Sequence, residues 1–406
     1  MSKRNPTFKG GFSVSLPMSR VGAAVDYRSL TLHQEIDRHD LAVVHARSRR
    51  AGYFDTMYPG SPVQITYSNQ SGGRGVFLGY IAKVEPLETI DGNMYQRNLV
   101  CVAASREFRA TGQATWRGMT GPEIVQDIGR RLGFKVITKQ HGLRRKQVVQ
   151  GGDTYWETLT KLSKMTGYVL RAEGTTLYFL PLKDMVAAFA SVAPVMATTA
   201  GSGSRLAIVE VAASLGNTSD DGDDLADAAV VVSLGPNDKS ESVSREVPSS
   251  VLRRYKASTP TYEKFSSSMV AHSRADAVLL AKGMADRGMM AYDARVVSRG
   301  DPFISPYRPV YLATADRTTR GWWIVKKVEH CITLGEYTCT SIVSTDEVSS
   351  QRAEPPVQRY RDISQELQQG WSPFTASGSR LRNLSPGFVV GQTYRPDGKI
   401  AQWVSV

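Results

Sequence analysis

The chain has 406 residues, enough for two to four domains, with 41% hydrophobic and 22% charged side chains, which excludes disordered and fibrous classes. No run of about 18 apolar residues occurs, so no membrane insertion is expected, and the N-terminal segment lacks the apolar core of a secretory signal. The net charge is +12, and three cysteines (Cys101, Cys331, Cys339) without metal-ligand spacing point to reduced thiols.

Residues 1–104 are expected to form a first small β-barrel, with its strands beginning near residue 25. "SLTLHQEI" and "DLAVVHAR" are separated by the polar cluster Asp37-Arg38-His39-Asp40. "SPVQITYS", "VFLGYIAKVEP" and "MYQRNLVCVAA" follow, broken by "NQSGGRG" and "IDGN". Five short alternating segments bounded by Gly, Asn and Asp suggest a barrel or sandwich.

Residues 105–184 change character and read as an α/β module. Thr120-Gly121-Pro122-Glu123 is a capping-box pattern with Pro in the first turn. Ile124, Ile128 and Leu132 then form one apolar stripe, Gly133 stops the helix, and "FKVIT" is a strand. The pattern returns with Thr154 and Glu157, then Leu159 and Leu162, then Gly167 and the strand "YVLRA". Cap and glycine lie thirteen residues apart in both copies, Thr120 to Gly133 and Thr154 to Gly167. "EGTT" turns the chain into "LYFLPL".

Residues 185–204, rich in Ala and Ser, read as a linker. Residues 205–345 return to β, with strand-like "RLAIVEVAASL" and "AAVVVSLG" and a helix over "SRADAVLLAKGMADRGMM". Here the first barrel is written again. Pro62-Val63 corresponds to Pro309-Val310, Lys83-Val84-Glu85 to Lys327-Val328-Glu329, and Tyr95 to Tyr337, at offsets of 247, 244 and 242. Period-2 coincidence accounts for one strand, not for three in order. A duplicated barrel flanking the module is expected, so the fold class is α+β, mainly β. Residues 346–406 read as an extended C-terminal segment in which Trp371, Phe374, Phe388, Tyr394 and Trp403 are anchors for docking on a partner.

Catalytic signatures are missing. "GSGSR" lacks nucleophile-elbow spacing, "SGGRG" lacks a P-loop lysine, and no H-E-x-x-H occurs. Asn217, Ser219, Asp221 and Gly222 open like a calcium loop, but its twelfth position is Ala228 rather than Glu. No cofactor, metal site or enzymatic activity is expected. Residues 105–150 carry ten basic and three acidic side chains, with a basic patch at Arg130, Arg131, Arg144, Arg145 and Lys146. A solvated face near a partner contact accounts for it; a nucleic-acid-binding β-barrel protein is the alternative.

The order of a barrel, then "GMTGPEIVQDIGRRLGF", then "GDTYWETLTKLSKMTGYVLRAEGTTLYFLP", then "GDPFISPYRPVYLA", "GWWIVKKVEH" and "YTCTSIV", resembles one group of bacteriophage proteins. These are the late control protein D and baseplate hub proteins of phage tails, related to the hub part of type VI secretion spikes. Asp153-x-x-Trp156 with Gly167-Tyr168, the hairpin at Glu173-Gly174, and Gly300-Asp301-Pro302 carry the match, which spans about residues 25–345. The resemblance implies a structural hub at the distal end of the tail, in which two barrels per chain let a homotrimer present six positions. It also implies contacts with the tail tube or distal tail protein, the tape measure protein, and tail tip or spike proteins. DNA would be met only in transit through the lumen, and the protein would reside in the virion after assembly in the host cytoplasm. One position departs from the pattern: the family's second barrel usually carries a glycine where this chain has Tyr307-Arg308.

Overall fold

The computed structural model describes residues 11–16, 25–55, 57–69, 73–87, 94–142, 144–190, 193–198, 206–214, 228–234, 240–246, 263–266, 277–279, 281, 290, 292–316 and 319–345. The C-terminal anchors Trp371, Phe374, Phe388, Tyr394 and Trp403 lie outside these residues, as does the acidic loop 217–224.

The first half comprises β1 (Gly11–Ser15), β2 (Asp26–Glu35), β3 (Leu41–Ser48), β4 (Pro62–Ser68), β5 (Arg74–Leu87) and β6 (Tyr95–Ala103). They form a curled antiparallel sheet in the order β1-β4-β5-β6-β3-β2. Alternation decides which face goes inward: β3 buries Ala42, Val44 and Ala46, while the residues between them stay more exposed.

The module follows as β7 (Thr115–Thr120), α1 (Gly121–Arg131), β8 (Lys135–Thr138), β9 (Arg144–Val149), α2 (Tyr155–Thr166), β10 (Tyr168–Glu173), β11 (Thr176–Pro181) and α3 (Leu182–Phe189). Both capping boxes form. Thr120 Oγ1 accepts from the Glu123 N–H at 3.3 Å while Glu123 takes the Thr120 N–H at 2.7 Å, and Thr154 and Glu157 do the same at 3.1 and 2.7 Å. Gly133 and Gly167 take the left-handed backbone that ends each helix, at φ of 73° and 67°. The helices bury Ile124, Val125, Ile128, Leu159 and Leu162 against Phe108 and Phe179. β8 lies parallel to β11, and β10 and β11 form the expected hairpin. The pairing of β7 with β9, and α3, are additions to the sequence reading.

The second half contains β12 (Val195–Ala197), β13 (Leu206–Ser214), β14 (Ala228–Leu234), β15 (Ser240–Glu246), β16 (Glu263–Ser266), β17 (Tyr292–Arg299), β18 (Pro309–Ala313), β19 (Gly321–Thr333) and β20 (Glu336–Thr345). Strands β19, β18, β12, β13, β17 and β20 close into a barrel, because β20 returns to pair with β19. β14, β15 and β16 make a small separate sheet. Of the expected inserted helix, Ala277–Leu279 and Ala281 are helical and the rest lies outside the described residues.

The stretch 185–204 differs from the linker reading. It connects the module to the second half, but it also carries the end of α3 and all of β12. β12 sits between two parallel neighbours, β13 and β18, so Val195, Met196 and Ala197 are all buried. A three-residue strand covered on both faces has no alternation to read.

The two halves share more than three strands. The chain β4-β5-β6-β3-β2 recurs as β18-β19-β20-β17-β13, antiparallel throughout. Its registers agree pair by pair. Pro62 opposite Tyr80 becomes Pro309 opposite Ile324, and Glu85 opposite Asn98 becomes Glu329 opposite Thr340. Val44 opposite Leu99 becomes Val296 opposite Ser341, and Leu30 opposite Val44 becomes Val211 opposite Val296. Even the irregularities match: a bulge precedes each Lys-Val-Glu, between Ile81 and Lys83 and between Val325 and Lys327. A second pair of bulges falls between Tyr27 and Ser29 and between Ile208 and Glu210. Bulges fix where a strand bends, so four in equivalent places mark one architecture used twice.

The turn before each Pro-Val strand is also preserved. Gly60 N–H donates to Ile81 O at 2.7 Å and Ile81 N–H to Ser61 O at 2.9 Å; the second copy repeats this between Tyr307, Val325 and Arg308 at 2.8 and 3.0 Å. Gly60 has φ 93° and Tyr307 has φ 65°. The backbone that a glycine adopts without cost is thus imposed on a tyrosine, held there by burial and by its hydroxyl, 3.0 Å from Asp37 Oδ1.

Gly300 shows the opposite constraint. A Cβ there would lie 1.9 Å from the Tyr337 ring, while its N–H already donates to Tyr337 O at 2.8 Å. Gly300→Ala is expected to destabilise the protein by about 1–3 kcal/mol, the usual cost of overpacking. Gly11→Ala, where nothing lies within 4 Å, serves as the control in thermal melts.

Candidate functional site

The candidate site lies where first half, module and second half meet. β19 pairs with β2 from Lys327–Glu35 to Thr333–Ser29, which fuses the two halves into one twelve-stranded sheet. Beside this seam runs a buried chain of polar groups. Tyr337 hydroxyl lies 2.8 Å from His330 Nδ1, and His330 Nε2 lies 3.3 Å from Gln34 Oε1. Gln34 Nε2 donates to Asp40 Oδ2 at 2.8 Å. Arg171 grips Asp40 with two bonds of 2.6 and 2.8 Å. On its other side stands Glu173, which accepts from Arg308 Nη2 at 2.7 Å and from Ser305 Oγ at 2.9 Å. A small cavity of about 30 Å³, lined by Gln34, Asp40, Glu173, Ser305 and Arg308 among others, opens beside them.

Each member is placed by a local feature. Asp40 ends the β2–β3 turn, where Asp37 takes a positive φ of 56°. Arg171 and Glu173 alternate with Ala172 on β10, so both point to one face. Gly174 at φ 54° turns the hairpin there and leaves Glu173 at the corner. Arg308 follows the strained Tyr307 and also lies over the Phe189 ring, 4.5 Å from its centroid. Asp301 of Gly300-Asp301-Pro302 caps the Phe303 N–H at 2.8 Å and takes the Asn69 amide at 2.9 Å, a second tie between the halves. Trp156 of Asp153-x-x-Trp156 packs 4.4 Å from the His39 ring, tying α2 to the first half.

Electrostatics follow from burial. Arg171 is 1% exposed; burial opposes its charge, but Asp40 and Glu173 outweigh that and raise its pKa. Burial pushes the Glu173 carboxyl up, yet Arg308 and Arg171 pull it below the ordinary value. Burial raises Asp40 against the pull of Arg171 and Gln34. Burial, with Arg308 nearby, drives His330 down to about 3, and burial with Arg109 drives His39 to about 4. Because the Gln34 amide nitrogen is committed to Asp40, its oxygen faces His330, which assigns the imidazole proton to Nε2. Paired carboxylates and guanidinia with a neutral histidine make a lock between elements. Among the described residues no group of three His, Cys, Asp or Glu is arranged to hold a metal.

The basic patch is not one face. Arg130 and Arg131 end α1 and are exposed, with Arg131 paired to Asp127 at 2.7 Å. Arg144 and Lys146 project from β9, and Arg144 reaches Glu123 at 3.5 Å at the opposite end of α1. Arg145 is buried on the inner side of β9. The sequence reading gave no site role to Gln34, Asp40, Arg171, Glu173 or Arg308, and met Asp40, Glu173 and Arg308 only as turn or motif positions. The only local signal was two charges, Arg171 and Glu173, inside an otherwise apolar strand.

No family model matches the chain, and no curated protein matches it by sequence. Solved structures do match in fold. The tail protein from Neisseria meningitidis MC58 is 12% identical with a TM-score of 0.58, over 85% of this chain and all of that one. The 43 kDa tail protein of prophage MuSo2 from Shewanella oneidensis is 10% identical with a TM-score of 0.54, over 80% and 95%. The E. coli c3393 protein is 12% identical with a TM-score of 0.53, over 86% and 80%. It is described as a component of the type VI secretion system with structural similarity to T4 tail proteins gp27 and gp5. The chain therefore shares the fold of these tail and secretion-system proteins.

Two outcomes are expected. Arg171→Met strands Asp40 and should cost about 3–5 kcal/mol in chemical denaturation, while adding Asp40→Leu should recover part of that loss. His330 and His39 stay neutral when folded but bind protons when unfolded below about pH 6.5. Their contribution is full above that pH and is lost as pH falls towards 4. Stability should decline between pH 6.5 and 5, by up to about 1.4 kcal/mol per pH unit from the fully buried His330 and by less from the half-buried His39, and His330→Gln should flatten the slope.

Proposed function

We propose that this chain is a structural hub protein at the distal end of a bacteriophage tail. Three copies form a pseudo-sixfold ring that joins the tail tube to the tail tip or baseplate and leaves a lumen for DNA. The observation that carries this reading is the register-for-register repeat of five strands within one chain. Two equivalent units per chain allow three chains to meet a sixfold neighbour on one side and a threefold neighbour on the other. The shared fold with tail proteins supports it. The buried lock at the seam fits the same role, since a hub must hold its two units in a fixed relation without chemistry. The tail tube or distal tail protein, the tape measure protein and the tip or spike proteins are its partners, and Trp371, Phe374, Phe388, Tyr394 and Trp403 dock on one of them.

Light scattering on the purified chain should give about 134 kDa, three times the 44.5 kDa protomer, and electron microscopy should show rings with a central opening. A monomer that binds DNA in a steeply salt-sensitive manner would instead favour a nucleic-acid-binding role for Arg130, Arg131, Arg144 and Lys146.

A further inference from the structure

The lock leaves two of its own hydrogen-bond donors unanswered. Among the described residues, Arg308 Nε is buried with no acceptor. Arg171 Nε is buried too, and lies 3.7 Å from Glu173 Oε1, beyond hydrogen-bond range. Acceptors with spare capacity belong to the same lock. Asp40 Oδ1 takes one bond from Arg171 Nη1, and Glu173 Oε2 takes one from Arg308 Nη2, among the described residues. Each carboxylate oxygen has room for a second. Orphaned donors beside unsaturated acceptors in a buried site call for a bridging group.

The cavity beside the lock is the place for one. All three segments bound it: Gln34 and Asp40 from the first half, Glu173 from the module, Ser305 and Arg308 from the second half. Its volume of about 30 Å³ equals the share of one molecule in liquid water and exceeds the roughly 10–15 Å³ that a single water requires. Charge restricts the guest further. Asp40 and Glu173 balance Arg171 and Arg308, so an ion of either sign would sit there uncompensated. The guest must accept from a guanidinium and donate to a carboxylate. At this size, that is water.

We propose that this cavity is a binding site for ordered water, which accepts from Arg308 and donates to the carboxylates of Asp40 and Glu173. The space holds roughly one or two molecules. Each direct bond of the lock joins two segments: Arg171 ties the module to Asp40, and Glu173 ties it to Arg308 and Ser305. Water in the cavity touches all three at once, through bonds nearly as favourable as direct ones. It is a structural component of the junction, supplied by solvent. The site is complete within one chain and stands whatever the state of assembly.

The full chain tests this in the crystal and in solution. A high-resolution crystal structure should show water density within hydrogen-bond distance of Arg308 and of Asp40 or Glu173. That density should carry no anomalous signal after bromide or rubidium soaks, and xenon under pressure should not enter. Val76 is half-buried in the cavity wall, and Val76→Phe should fill the space. Deuteron relaxation dispersion should then count roughly one or two fewer long-lived waters than in the native chain. Bromide or rubidium in the cavity assigns a charged guest, and xenon assigns a dry, apolar one; either overturns the proposal. So does a native cavity without density, or a Val76→Phe chain that keeps the full count. The native-chain measurements decide alone should that variant not fold.

Discussion

The pairing of β19 with β2 is the constraint from which the rest of the molecule follows. From Lys327 to Thr333, β19 is bonded on one edge to β20 and on the other to β2. A strand enclosed in this way buries alternate residues completely, and here these are Val328, His330 and Ile332. Two of the three are apolar. The third is an imidazole that must find partners in the dry interior. Gln34 on β2 supplies one, Gln34 in turn needs Asp40, and a buried Asp40 needs Arg171 from the module. Glu173 balances that guanidinium, and Arg308 with Ser305 returns the chain of obligations to the second half. One strand pairing thereby commits three segments of the polypeptide to a single arrangement.

The duplicated units have diverged where they serve different neighbours and stayed alike where they hold themselves together. Backbone registers, bulges and the turn at Gly60 and Tyr307 are the same in both. The differences gather at the seam: His330 corresponds to Pro86 and Leu32 to Ala213. The second unit alone closes through β12, whereas β1 lies outside β4 in the first and has no ladder to β2 among the described residues.

Much of this was legible in the sequence because its signals are local. Thr120 with Glu123, Thr154 with Glu157, and the glycines at 133 and 167 each act within one or two helical turns. Lys-Val-Glu appears twice because a period-2 strand carrying the same bulge restricts its side chains in the same way. The lock was hidden for the converse reason. Asp40 and Arg171 are 131 residues apart, and Gln34 and His330 are 296 apart, so no window of sequence holds both partners. β12 was read as linker because three residues are too few to display a period, and Arg145 was counted with exposed charges although its strand turns it inward. The glycine expected near Tyr307 marks a conformation, and here burial and Asp37 enforce that conformation on another residue.

The same seam sets a schedule for synthesis. The ladder joins residues separated by roughly 300 positions in the chain, from Ser29–Glu35 to Lys327–Thr333. Ribosomes add about 5–20 residues each second, so β2 waits roughly 15–60 s for its partner to emerge. Throughout that interval the nascent first half presents a bare strand edge with Leu30 and Leu32 uncovered, the kind of edge that recruits stray strands. Glu35 at one end of that edge, with Asp26 and Arg28 just before the other, flanks it with charge and so guards it against premature pairing. Folding of the N-terminal unit is therefore finished by the C-terminal one, and the slow, non-local step comes last.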